Sequence, residues 1–112
     1  MKEDLLKYRP TQIKNNEIES VWENGKITII YPKKFGRIEK WIKDRIGGPD
    51  RVRRPLDKFT TFIWENCNGE KNIAEIITNF DREFGEEVTP ADVRVQKFIK
   101  QLLELNLITL NL

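Results

Sequence analysis

Cys67 is the only cysteine in 112 residues, and the chain holds no histidine that could act as its base. A thiol without a general base is a poor nucleophile, and this one closes an apolar run, so it reads as a small core residue. A Cys/His zinc site and the usual neutral-pH proton shuttle both need histidine, and an internal disulfide needs a second cysteine. The acidic side chains could pair in space, but no spacing singles any of them out. The residue inventory therefore leads to no catalytic residue, no metal and no cofactor, and it points to binding rather than catalysis.

Charge is the stronger signal. Net charge is +2, yet residues 33–54 carry nine basic and three acidic side chains, while residues 55–112 carry six and ten. A basic segment beside an acidic one suits an acidic partner. Two cationic groups stand out there. Arg51, Arg53 and Arg54 surround Val52 just before Pro55-Leu56, and Lys34, Arg37 and Arg45 surround Trp41.

The elements that must position these groups follow from periodicity. A chain of this length holds one compact domain with a modest core. Residues 1–16 have no clear period and are punctuated by Arg9-Pro10 and Asn15-Asn16, which predicts an extended N-terminal arm, with a single domain over 17–112. In "IESVWENGKITIIY" two β-rich runs meet at Asn24-Gly25, the pair favoured in a type I′ hairpin. A two-residue loop sets Trp22 opposite Ile27, Ser20 opposite Ile29 and Ile18 opposite Tyr31, a face expected to be buried. Pro32 ends the second strand.

Residues 32–50 form a basic amphipathic insert, with Phe35, Ile38, Trp41, Ile42 and Ile46 at helical spacing. Such a segment can cover its own domain's flank, lie on a membrane surface or dock on a partner. Its cations around Trp41 suit an interface, so Lys34, Arg37, Trp41 and Arg45 are the expected contacts with a partner enzyme. "RVRRPLD" then reads as a short strand, and Pro55 places it at a sheet edge.

Three helices follow. Asp57 caps the first, with Phe59, Phe62, Ile63 and Cys67 near one face. Asn72 caps the second reciprocally with Glu75, and Ile73, Ile76, Ile77 and Phe80 form its stripe. Thr89-Pro90-Ala91-Asp92 predicts a third with Thr89 as its cap. Val95, Ile99 and Leu102 centre its stripe, with Phe98 and Leu105 on one margin and Leu103 on the other. Asn106 suits the left-handed position that ends it, and "LITL" a last short strand. Asn68-Gly69 lets the first two helices cross steeply. The expected fold is α+β and winged-helix-like: an N-terminal β-hairpin plus a third edge strand, followed by a three-helix bundle.

No stretch approaches the roughly 20 apolar residues of a membrane span. The charged start, Met1-Lys2-Glu3-Asp4, leads into no signal-like apolar region, so a cytoplasmic protein is expected.

"LDKFTTFIWENCNGEKNIAEI" followed by "VQKFIKQLLELNLI" resembles the PqqD family, the pyrroloquinoline quinone biosynthesis protein D type of small domain. Leu56-Asp57 matches that family's strand-to-helix junction. Gly69, Asn72, Ile73 and Ile76 match its turn, with Asn72 where the family has a capping threonine. Phe98, Ile99, Leu102, Leu107 and Ile108 match its closing helix, with Asn106 in place of a glycine. The insert at 32–50 departs from the family, which passes almost directly from the second strand to the third.

The resemblance implies a non-catalytic peptide-binding chaperone. Such a domain recognises the leader of a ribosomally made precursor peptide and presents it to a modifying enzyme, often a radical S-adenosylmethionine protein. An edge strand beside a helix offers main-chain hydrogen bonds and an apolar groove for an added strand. The expected contacts are Arg51, Val52, Arg53, Arg54 and Leu56 on the strand and Arg94, Phe98, Gln101 and Leu105 on the last helix. Pro55 has no N–H to donate. The same edge is open to pairing with a second copy as a homodimer. The alternative is a winged-helix DNA-binding protein using Arg94, Lys97 and Lys100. Against nucleic acid stand Glu83, Glu86, Glu87 and Asp92, crowded where a reading head would meet phosphates.

Overall fold

The computed structural model describes residues 5–32 and 51–112. Its elements are β1 (Arg9–Gln12), β2 (Glu19–Glu23), β3 (Lys26–Pro32), β4 (Arg51–Pro55), α1 (Lys58–Glu65), α2 (Ile73–Phe84), a 3₁₀ turn (Gly85–Val88), α3 (Ala91–Glu104) and β5 (Ile108–Asn111). Among the described residues, antiparallel strands in two sheets and three helices make the protein α+β. The chain forms two compact units, one of residues 15–56 and one of the N-terminal residues through Lys14 with residues 57–112.

The first unit is a three-stranded sheet in the order β2-β3-β4. Asn24 and Gly25 both have positive φ, 55° and 77°, as a type I′ turn requires, and the pairing is the expected one, Trp22 with Ile27 and Ser20 with Ile29. Burial of that face is only half as expected. Ile27, Ile29 and Tyr31 on β3 are buried, whereas Ser20 is exposed and Trp22 is 59% exposed. β3 is central and has a strand on each side, while β2 has a neighbour on one side only among the described residues, so its side chains overhang.

In the second unit the helix starts follow from local chemistry. Asp57 caps α1: its carboxylate accepts from the Thr60 N–H at 2.8 Å, and the Thr60 hydroxyl accepts from the Asp57 N–H at 3.0 Å. Burial pushes the Asp57 pKa up, but the bonds from the Thr60 N–H and hydroxyl and the Phe59 N–H outweigh it and hold the carboxyl below its ordinary value. Asn72 and Glu75 form the expected reciprocal cap of α2. The start of α3 is corrected. Pro90, not Thr89, is the cap residue, and no side chain caps the helix. The Pro90 carbonyl accepts the first helical bond, from the Arg94 N–H, which moves the start one residue on. At the other end Asn106 takes φ 58°, the Leu107 N–H reaches the Leu102 carbonyl and the Asn106 N–H reaches that of Leu103. This is a Schellman closure, with Leu107 and Leu102 both buried.

The arm proves to be part of this unit. β1 pairs antiparallel with β5, Arg9 opposite Asn111 through Gln12 opposite Ile108. Its other side lies on the corner between α1 and α2: Gln12 N–H donates to the Cys67 carbonyl and Gly69 N–H to the Pro10 carbonyl, each at 2.9 Å. A Cβ on Gly69, whose φ is +84°, would stand 2.8 Å from the Thr11 hydroxyl oxygen, so only glycine lets the strand pass so close. The arm also completes α2, whose first N–H groups, Ile73 and Ala74, donate to the carbonyls of Tyr8 and Leu6. The core is Ile63, Trp64, Ile73, Ile76, Phe80, Val95, Ile99 and Leu102, all 1% exposed or less. Ile77 of the expected α2 stripe is only half-buried.

Cys67 is fully buried in that core, and burial pushes its thiol from the usual 9.0 to about 12. At neutral pH the native protein holds roughly a thousandfold less thiolate there than a free cysteine does. Iodoacetamide should therefore leave Cys67 unmodified in the native state and alkylate it in urea. Because the fold favours the protonated thiol, this contribution to stability is present below pH 9 and fades as the pH climbs toward 12.

Candidate functional site

β4 is an edge strand, paired with β3 and with no strand on its outer side among the described residues. Which of its backbone groups face outward follows from one bond. Leu56 N–H donates to the Ile27 carbonyl at 2.8 Å, and the register runs Pro55 opposite Thr28, Arg54 opposite Ile29, Arg53 opposite Ile30 and Val52 opposite Tyr31. Antiparallel pairs alternate between hydrogen-bonded and non-bonded. Leu56, Arg54 and Val52 therefore bond to β3, while Arg51, Arg53 and Pro55 turn their backbone groups to the open edge. Pro55 offers only a carbonyl there, so a strand added at this edge finds donors at Arg51 and Arg53.

The side chains divide the other way, onto two faces. Arg51 and Arg53 reach diagonally across β3 to the acids of β2: Arg51 Nη2 lies 3.2 Å from Glu19 Oε2 and donates to the Glu17 carbonyl at 2.9 Å, and Arg53 Nη2 lies 2.5 Å from Glu23 Oε2. The Thr28 hydroxyl donates to Glu23 Oε1 at 2.6 Å. These two donors, Thr28 first and Arg53 second, hold the Glu23 carboxyl below its ordinary pKa. Exposed pairs of this kind contribute about 0–1 kcal/mol each. The two arginines expected to meet an acidic partner are thus already neutralised within the sheet. Arg54 lies on the opposite face, with its Nε donating to the Tyr31 hydroxyl at 3.2 Å, beside half-buried Val52 and buried Leu56.

The helical unit holds a pocket of about 300 Å³. Asp57, Phe59, Thr60 and Ile63 line it from the start of α1, Phe80 from α2, and Arg94, Lys97, Phe98 and Gln101 from α3. The fold thereby brings together three of the four expected helix residues, Arg94, Phe98 and Gln101. Leu105, half-buried at the C-cap of α3, does not line the pocket. Phe59 and Lys97 are additions. Phe59 was legible only as a core position of α1, and Lys97 only as a cation of the DNA-binding alternative, because no periodicity shows that the first turn of α1 stands against this part of α3. The floor is aromatic, and Phe59 and Phe80 meet edge to face with ring centroids 6.4 Å apart. At the rim Arg94 and Lys97 are exposed, one helical turn apart, and neither has an ion-pair partner among the described residues.

Glu83, Glu86, Glu87 and Asp92, before and at the start of α3, are all exposed. Their negative field is the wrong sign for phosphate contacts. Lys34, Arg37, Trp41 and Arg45, the expected partner-enzyme contacts, lie outside the described residues, as does the rest of the insert after Pro32. Among the described residues no helix is long and apolar enough to cross a membrane.

The family model for coenzyme PQQ synthesis protein D (PqqD) matches residues 55–108. No curated protein and no solved structure matches the chain. The matched stretch runs from the last residue of β4 through all three helices to the first residue of β5, and it contains every residue lining the pocket. The segment from Pro55 to Ile108, with its capped α1, its corner and its Schellman-closed α3, is thus the part of the chain that is PqqD-like.

Proposed function

We propose that this protein is a non-catalytic peptide-binding domain that recognises the leader of a ribosomally made precursor peptide and presents it to a peptide-modifying enzyme. The match to a coenzyme PQQ synthesis family carries the reading. Two features support it: the open edge of β4, with donors at Arg51 and Arg53, and the aromatic pocket of the helical unit with its basic rim. Strand addition supplies main-chain affinity whatever the peptide's sequence, and a side-chain pocket supplies selectivity. A pocket of this size is at the low end for small-molecule sites, about 300–1,000 Å³, and suits a large side chain better than a coenzyme.

The alternation of bonds on β4 gives a sharp test. Arg53→Pro removes a donor that faces the open edge and leaves the β3 ladder whole, so binding of a leader peptide to the full chain should weaken at least about tenfold, roughly 1.4 kcal/mol, with the melting temperature nearly unchanged. Val52→Pro removes a donor that faces β3 and should lower the melting temperature instead. Equal peptide affinity for wild type and Arg53→Pro, measured by calorimetry, would remove strand addition at β4 from the reading.

A further inference from the structure

The pocket of the helical unit has a chemistry more specific than "apolar". Phe59, Phe80 and Phe98 form its floor, and Arg94 and Lys97 stand exposed at its rim without an ion-pair partner among the described residues, although residues 55–112 hold ten acids against six bases. Side chains three apart on a helix are neighbours, about 5–6 Å between Cβ atoms, so the two cations can close on one carboxylate. The Asp57 carboxylate also lines the pocket, but it is engaged by the Thr60 N–H and hydroxyl as the cap of α1. Gln101 adds an amide that can donate to a peptide carbonyl.

Resting on the peptide-binding reading above, we infer that this pocket selects a peptide segment in which a large apolar or aromatic side chain is followed within a residue or two by aspartate or glutamate. The apolar side chain enters between the phenyl rings, where edge-to-face contacts favour an aromatic ring over an aliphatic chain of equal area. The carboxylate lies across Arg94 and Lys97 and receives charge-assisted hydrogen bonds, which are shorter and stronger than neutral ones. A lysine or arginine at the acidic position meets two like charges and is rejected. Arg51 and Arg53 are less available for this selectivity, because Glu19 and Glu23 already engage them. Selectivity for acid thus belongs to α3.

The experiment is a selection of random displayed peptides on the full chain, run in parallel on wild type and on Arg94→Glu/Lys97→Glu. Both side chains are exposed, so the double variant should keep its circular-dichroism melt. Wild type should enrich an apolar–acidic pair, and the double variant should enrich an apolar–basic pair in its place. The best wild-type peptide should bind the double variant at least tenfold more weakly. Enriched peptides without an acidic consensus, or with the same consensus on both proteins, would overturn this inference and leave the peptide-binding reading standing. Failure of wild type to enrich any peptide would overturn both.

Discussion

A chain that starts at Lys14 should lose the cooperative melt of its helical unit. The residues removed contain β1, so the whole β1–β5 ladder goes, along with the bonds that tie Gln12 to Cys67, Gly69 to Pro10, Ile73 to Tyr8 and Ala74 to Leu6. Gln12 also donates through its side chain to the Trp64 carbonyl at 2.8 Å. Several of these groups become buried donors or acceptors without partners, at about 1–3 kcal/mol each, and Pro10 leaves an apolar gap. The total is comparable to the whole stability of a small domain, about 5–15 kcal/mol. Amide exchange gives the check. Residues 63–67 and 73–76 should exchange rapidly in the shortened chain, and full protection there would show that β1 is dispensable. β1 lies outside residues 55–108, the segment that the family model matches.

Phe80→Ala should cost about 3–5 kcal/mol, the range for deleting a buried phenyl ring. Phe80 is fully buried and is the hub of an aromatic cluster, with ring centroids 6.4 Å from Phe59, 6.0 Å from Phe62 and 5.3 Å from Phe84. Those three rings are half-buried and depend on it for their orientation. Urea denaturation measures the loss, and Phe80→Leu, which keeps most of the volume, should recover more than half of it. The same ring lines the pocket, so Phe80→Leu should also shift selection toward bulkier apolar anchors. A loss under about 1 kcal/mol for Phe80→Ala would mean that the cluster repacks freely.

Local chemistry was legible without any structure. Asn24-Gly25 determined the hairpin and its register, because a two-residue loop between strands takes a type I′ or II′ turn and Asn-Gly favours I′, with positive φ at both positions. Asp57, Asn72 with Glu75, and Asn106 marked helix ends, because caps act over three or four residues and their partners are sequence neighbours. The stripe of Val95, Ile99 and Leu102 declared the buried face of α3. The third helix departs from its local signal: Thr-Pro favours a cap at threonine, and the Pro90 carbonyl takes the first bond instead.

Long-range placement belonged to the tertiary structure alone. Residues 5–13 carry no period because, apart from the Tyr8 N–H to Leu5 carbonyl bond, their partners are not one another but Cys67, Gly69, Ile73 and Leu107, far along the chain. Trp22 shares a face with Ile27 yet stays exposed, since burial depends on whether a strand is central or at the edge, and strand order is not written in alternation. The arginines of β4 were visible as charge, but their ion pairs with Glu19 and Glu23 exist only across a third strand. The pocket needed the first turn of α1, the middle of α2 and one face of α3 brought together. The sequence by itself determined which residues could be bonded locally and which face each helix would hide. Only packing decided which distant residues met, because hydrophobic burial drives association without direction and leaves the choice of partner to the fold as a whole.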